Sequence, residues 1–473
     1  MKSRLCWLPA ALGLLTAKPA LAQNELSNFS ATGRGGVANT FALDYQALGI
    51  NPANLGRQGT SRFAFTVGEV GAGVGSQSLT NSQLKQLLFH ANDALTAAER
   101  TALVANLNSK NALNLNADAT AFGLAVTLPP GLGGLAVSVR QRLSGHVALN
   151  QNSADIIVNG QEAAIVQQYY DAAGNPRGGS QPPLLSAALE GTELQLALTN
   201  EFNVGYGVEV FDVPGVFTLT AGAGYRYIQG LGVADVRITG GSLAAYSSLA
   251  PGFDINYGNL AASPSFNYRS GSDLQPVGHG NGFDLGLAAE IGKFVRLGVS
   301  VTEMGAMTWT GNVVTANDQA LVFPQYAGLT DYNVVQNIVN QFGDQGQTLF
   351  TYQAAQERRT SLPTKLRLGG GVRISELLEA GLDVTVPLNQ VAGNLPAPFI
   401  GAGLDYKPRR WLRLSTGVSG GAGYPVSVPL GLTFVTPVWE AGFSTRSVAG
   451  YFTENNPYAS VALGFLRFKI GKS

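Results

Sequence analysis

From Lys365 to Ile374 the chain changes character at every step. Lys365, Arg367, Gly369, Gly371 and Arg373 share one parity; Leu366, Leu368, Gly370, Val372 and Ile374 share the other. Successive side chains of a strand point to opposite faces, so this segment reads as a strand whose faces meet different solvents. The pattern recurs from about residue 61 to the C-terminus. Val295, Leu297, Val299 and Val301 alternate with Arg296, Gly298, Ser300 and Thr302. Phe202, Val204, Tyr206, Val208 and Val210 alternate with Asn203, Gly205, Gly207 and Glu209. Trp439, Ala441 and Phe443 oppose Glu440, Gly442 and Ser444.

Many such strands in one chain admit a soluble sandwich or a membrane barrel, and composition separates the two. Only 13% of residues are charged and 60 are glycine, a poor supply for a polar exterior. No stretch beyond the N-terminus offers the roughly 18 apolar residues of a spanning helix. A membrane chain without such helices must close its strands into a barrel, because lipid satisfies no backbone hydrogen bonds. The apolar parity is therefore assigned to lipid and the other to the lumen. Residues 1–22 have the anatomy of a signal peptide: Lys2 and Arg4, an apolar run from Leu5 to Ala17, and Ala20-Leu21-Ala22 before Gln23. The only cysteine, Cys6, precedes that run, so an exported chain carries no thiolate for catalysis or metal. Without Lys2, Arg4 and Lys18, 27 basic residues face 30 acidic ones, a net of −3. That balance gives nucleic acid no footing.

The connections fall into two classes. Six are short: near Pro129-Pro130-Gly131, Asp212–Gly215, Gly292-Lys293, Ser375-Glu376, Lys407–Arg410 and Thr436-Pro437. They alternate with longer ones near 75–116, 149–190, 239–280, 304–360, 387–396, 421–425 and 447–458. Short periplasmic turns and long external loops are the habit of outer-membrane barrels, and this series requires roughly 14 strands. The fold predicted is an all-β, transmembrane antiparallel barrel in residues 61–473 with partly helical external loops; 190–200 and 229–240 stay ambiguous. Thr96-Ala97-Ala98-Glu99 forms a capping box before Leu103, Val104 and Leu107. Leu84, Leu87 and Leu88 make one apolar stripe, and Val334, Val335, Ile338, Val339 and Phe342 another. These helices either pack on the loop surface or line a ligand approach.

Ahead of the first strand, residues 23–60 hold Gly33-Arg34-Gly35-Gly36-Val37-Ala38, then Asp44, then Asn51-Pro52-Ala53-Asn54. This wording resembles the pre-barrel region of FadL-like hydrophobic-compound transporters and of outer-membrane barrels serving type IX secretion. Leu362–Arg367, Glu379–Asp383 and Asn456–Ala459 bring it nearer to an uncharacterised branch of the same broad group. In FadL-like transporters the corresponding segment folds inside as a hatch. The resemblance implies a hatch or plug here, with Gly33, Arg34, Gly35, Gly36, Asp44, Asn51, Pro52 and Asn54 as its candidate residues.

The parity assigns both signs of charge to the lumen: Arg140, Arg142, Arg226, Arg296, Lys365, Arg367, Arg373 and Arg413 against Glu209, Asp284, Glu290, Asp383, Asp405 and Glu440. An ion-selective pore favours rings of one sign; mixed charges bond across a narrow lumen or anchor a plug. Catalytic signals are weak. Gly417-Val418-Ser419-Gly420-Gly421 ends a strand rather than opening a helix, and His90, His146 and His279 lie far apart without ligand spacing. Neither an enzyme nor a cofactor is expected. The leading expectation is passive uptake of small hydrophobic compounds through a hatch-plugged barrel in outer-membrane lipid. The alternative is a non-transporting scaffold whose partner is a secretion or surface protein.

Overall fold

The computed structural model describes residues 26–57, 61–179, 181–334, 338, 350–395, 397–422 and 424–472. The proposed signal peptide, Gln23–Glu25 and the stripe residues Val335, Val339 and Phe342 lie outside them.

The wall begins with β1 (Ser61–Gly75), β2 (Leu113–Thr127), β3 (Gly134–Ala148), β4 (Glu193–Val213) and β5 (Phe217–Thr239). The ambiguous segments fall largely within the last two, and β5 continues past the loop end of β7. Short β6 (Ser242–Leu249) folds back on the top of β5, and the wall resumes with β7 (Gly278–Ile291) and β8 (Val295–Trp309). Then come three short strands, β9 (Val313–Ala316), β10 (Tyr352–Ala354) and β11 (Arg358–Ser361). The wall continues through β12 (Lys365–Arg373), β13 (Leu378–Pro387), β14 (Phe399–Arg409) and β15 (Leu412–Gly421), past the short β16 (Tyr424–Ser427). It ends with β17 (Leu430–Val435), β18 (Trp439–Thr445) and β19 (Tyr458–Lys472).

Strand β1 pairs antiparallel with both β2 and β19, so the sheet has no edge. Setting aside β6, β9, β10, β11 and β16, the closed barrel has 14 strands, as predicted. All six short turns fall where the sequence places them. The parity survives as well: Lys365 and Arg367 are 0% and 5% exposed, whereas Leu368 and Ile374 on the other face are 43% and 57% exposed. One strand departs. The register shifts between Glu440 and Gly442, where β18 meets β19. Phe465 and Leu466 both become exposed there, while Ala441, assigned to lipid, is covered. A β-bulge does this by adding one residue to one strand, which reverses the parity beyond it.

At the loop end, helices cap the wall. The box at Thr96 and Glu99 starts the helix Ala97–Leu107, which buries Leu103, Val104 and Leu107. In the helix Asn81–Phe89, Leu84 is buried but Leu88 is exposed. Leu103, Val104 and Leu107 join Ile156, Val158, Val166, Val236 and Ile238 in the largest apolar cluster among the described residues. That cluster covers the outward-parity face of β5 and β6, above the membrane-facing part of the wall. Burial at roughly 25 cal/mol per Å² of apolar surface anchors the loops without a disulfide.

Candidate functional site

The lumen is filled from two directions, beginning with residues 26–57. This segment takes a short helix at Phe29–Gly33 and two 3₁₀ turns, Asp44–Ala47 and Pro52–Gly56. Nearly all of it is buried. Its bed consists of lumen-parity glycines. A Cβ on Gly123 would stand 2.5 Å from the Tyr45 ring, one on Gly205 2.6 Å from Leu48, and one on Gly442 or Gly464 2.6 Å from Phe29. Such distances exclude any side chain larger than hydrogen, so the glycine content of the wall serves close backbone approach.

Charge fixes the segment in that bed. Arg34 pairs with Asp405 at 2.8 Å, both buried, and lies over the Phe41 ring. Gly35 and Gly36 turn the chain at φ of 71° and 89°, and Gly33 packs on Gly431. Asp44 pairs with Arg467 at 2.8 Å. The Asn51 amide donates to Asn39 Oδ1 and to the Leu287 carbonyl, and Pro52 opens the second 3₁₀ turn over Gly222. Asn54 donates to the carbonyls of Asn39 and Ala42. The Ala38 and Asn39 amides both donate to Asp383 Oδ2 at 2.6 Å.

The sequence missed four further ties: Arg57 with Glu290, Tyr45 and Gln46 with Glu69, Leu26 and Ser27 with Asp118, and Ser300 with the Ile50 carbonyl. Arg57 carried a visible signal, a cation just before the first strand. Glu69 carried none, because Gly68 at φ 84° shifts the parity of β1.

Above this segment lies an ionic layer. Arg142 on β3 bonds Glu201 on β4 at 2.8 Å and reaches Glu303 on β8 at 2.9 Å. Arg226 on β5 bonds Glu201 at 3.1 Å and Asp284 on β7 at 2.7 Å, and Lys365 on β12 lies 3.5 Å from Glu303. All six side chains are buried. Strands β3 and β8 are not neighbours, so the Arg142–Glu303 contact crosses the lumen. Glu201 continues the lumen parity of Asn203 and was legible. Glu303 was not: it sits at φ 63° beside a register shift, out of step with the alternation.

The remaining predicted residues line other levels. Arg140 lies 3.8 Å from Asp118, and Arg413 bonds Glu440, which Arg467 and Lys469 also approach. Arg296 lies between Glu290 and Glu379, and the more exposed Arg373 bonds Glu379 at 2.9 Å. Arg367 is buried on the lumen face of β12; Glu209 is half-buried at a register shift near the short turns. Among the described residues no group of three His, Cys, Asp or Glu could hold a metal ion.

On the loop side of the ionic layer is a cavity of about 60 Å³, measured to the centres of water-sized spheres. Arg142, Glu201 and Glu303 form its floor, and Ile228, Val233, Met307 and Trp309 its apolar side. Ser144 and Thr199 lie opposite, and Val391 to Gly393 of the 388–398 loop close it above. Its last wall is Thr360–Pro363, where the barrel ladder fails. β11 pairs with β8 as far as Ser361 opposite Ala306, and β12 resumes at Lys365 opposite Thr302. Pro363 has no N–H to give, and the interval is held by Leu362 N–H to the Gly305 carbonyl and the Thr364 hydroxyl to the Glu303 carbonyl. Outside the same point, a groove is lined by His279, Asn281, Ala306, Thr360 and Ser361.

The family of unknown function DUF5723 matches residues 52–438, and the chain belongs to it. No curated protein matches. Among solved structures, the toluene transporter TbuX of Ralstonia pickettii is similar at 12% identity and TM-score 0.44, covering 95% of this chain and 99% of that one. The toluene transporter TodX of Pseudomonas putida is similar at 11% identity and TM-score 0.44, covering 96% and 100%. A FadL homologue of Pseudomonas aeruginosa is similar at 11% identity and TM-score 0.40, covering 96% and 100%.

Proposed function

We propose that this member of DUF5723 admits small hydrophobic compounds passively across the outer membrane, with residues 1–22 as its export signal and residues 23–60 as its hatch. The observation that carries the reading is the shared wall at Thr360–Ser361. These two residues border both the cavity and the outer groove, and the strand ladder beside them is interrupted. A compound leaving the cavity sideways disturbs the end of the β8–β11 ladder, the Trp309–Thr360 bond and the two bonds of the interval beside it, whereas an axial route must break the ionic layer and the hatch beneath it. Buried ion pairs broken one-sidedly cost about 3–5 kcal/mol each, so the lateral route is the cheaper by far.

Ala306 and Ser361 face each other across β8 and β11. A disulfide joining Ala306→Cys to Ser361→Cys fastens that seam. In proteoliposomes, uptake of a single-ring hydrocarbon should fall at least tenfold in the oxidised form and return on reduction. Uptake that ignores the disulfide removes the lateral route; no uptake by the unmodified protein removes the transport function.

A further inference from the structure

The cavity has two unlike sides, and resting on the uptake reading above, we infer that its ligand is a neutral amphiphile: one ring-sized apolar body carrying one hydrogen-bonding group. Size comes first. At roughly 10–15 Å³ per water centre, 60 Å³ holds about four to six waters. That many waters displace about 120–180 Å³ of liquid, the range of a single six-membered ring.

Polarity comes next. Ile228, Val233, Met307 and Trp309 make one face, and the Trp309 N–H is already spent on the Thr360 hydroxyl at 3.0 Å. That face offers an aromatic or alicyclic body only dispersion and apolar burial. Ser144 and Thr199 stand on the β3–β4 side above the carboxylates of Glu201 and Glu303. A pure hydrocarbon displaces water from those groups and returns no hydrogen bond, which is penalised in a site of low dielectric.

Charge decides between an acid and a neutral head. Among the described residues the floor sets Arg142, Arg226 and Lys365 against Glu201, Asp284 and Glu303. Three cations thus meet three carboxylates. The guanidinium of Arg142 is shared between two carboxylates and that of Arg226 lies among three. A ligand carboxylate would enter a balanced layer and unbalance it. A neutral hydroxyl bonds to the Ser144 or Thr199 hydroxyl without changing the count.

The test uses the full chain in lipid nanodiscs. Trp309 lines the cavity while Trp411 and Trp439 sit on the outer wall, so a Trp7→Phe/Trp411→Phe/Trp439→Phe background leaves Trp309 to report binding. The probes are toluene, phenol and benzoate at pH 7, where only benzoate is charged. Phenol should bind about tenfold more tightly than either. The paired change Ser144→Ala/Thr199→Val should erase that preference while leaving toluene affinity within twofold, and Thr199→Ser should keep it. Toluene binding as tightly as phenol overturns the inference and leaves uptake standing, and benzoate binding best overturns it in favour of an acid. If none of the three binds and none is taken up in the liposome assay, the uptake reading falls as well.

Discussion

Asp383 is one of two carboxylates, with Asp118, that seat residues 26–57 by accepting from two adjacent backbone amides on one oxygen. Ala38 N–H and Asn39 N–H both reach Oδ2 at 2.6 Å, and all three residues are buried. Hydrogen bonds to a charged group are worth about 1.5–3 kcal/mol each. Replacing Asp383 with Leu removes both and leaves two buried donors empty. Against that stands the relief of no longer desolvating a carboxylate when the segment seats, which offsets part of the loss. The net expected cost to seating is about 2–4 kcal/mol, or roughly 30- to 1000-fold in the local opening constant. Asp383→Asn keeps one acceptor oxygen and loses the charge, so it should fall between, near about 1–2 kcal/mol. Hydrogen exchange at Ala38 and Asn39 in nanodiscs reads this directly, with the strand amides of Leu404 to Gly401 on the neighbouring β14 as an internal standard. Exchange should accelerate in the order Asp, Asn, Leu at residues 37–42 while β14 stays protected. Unchanged exchange at Ala38 and Asn39 in the Leu variant would refute the argument, since it would mean the seat is set by the glycine bed alone.

The bed makes its own prediction: Gly123→Leu drives a side chain into Tyr45 and should cost about 1–3 kcal/mol, whereas Gly145→Leu, whose nearest neighbour stands 3.5 Å away, should be tolerated; thermal unfolding in detergent compares them. Arg226→Met strips Glu201 and Asp284 of a buried partner and should cost about 3–5 kcal/mol by the same measurement. In the loops, the Thr96 hydroxyl and amide hold the Glu99 carboxyl below its usual range. The contribution of that cap is complete above the ordinary glutamate pKa of about 4.3 and lost as pH falls through the lowered value. Exchange protection of Ala97–Leu107 should therefore drop at acid pH in the natural protein and change little in Glu99→Gln.

The wall was legible because alternation is a local property. Lys365 and Leu366 declare their faces whatever lies around them, and turns bearing Pro or Gly, such as Pro129–Gly131 and Asp212–Gly215, declare where a strand must stop. Interruptions of that rule were not legible. Glu303 and Glu69 point inward only because a left-handed residue, Glu303 itself or Gly68, resets the parity, and nothing in either sequence neighbourhood announces it. Partner choice was also hidden: Arg142 reaches Glu303 across five strands' worth of wall, a contact that exists only once the barrel has closed. The lumen glycines stand between these cases. Their parity placed them inward, but a glycine that bends a strand and one that seats another backbone are spelled the same way.

That distinction bears on how the barrel closes its own lumen. A plug held only by ion pairs can be released by any ligand that competes for the charges. A plug held only by fit can be released by small outward movements of the wall. Here the two are layered: the glycine seats lie beneath, and the Arg142–Glu201–Arg226–Asp284–Glu303–Lys365 layer lies above, with Gly49 of the hatch directly against Arg226. A compound in the cavity meets the ionic layer first, and that layer is tied to β3, β4, β5, β7, β8 and β12 at once. Loosening one strand leaves the other five holding the charges. The same six-strand tie fixes the floor of the cavity, whereas the ladder beside its side wall is interrupted between Ser361 and Lys365. On the proposed uptake reading, a tied floor beside an interrupted ladder favours lateral passage over an axial route.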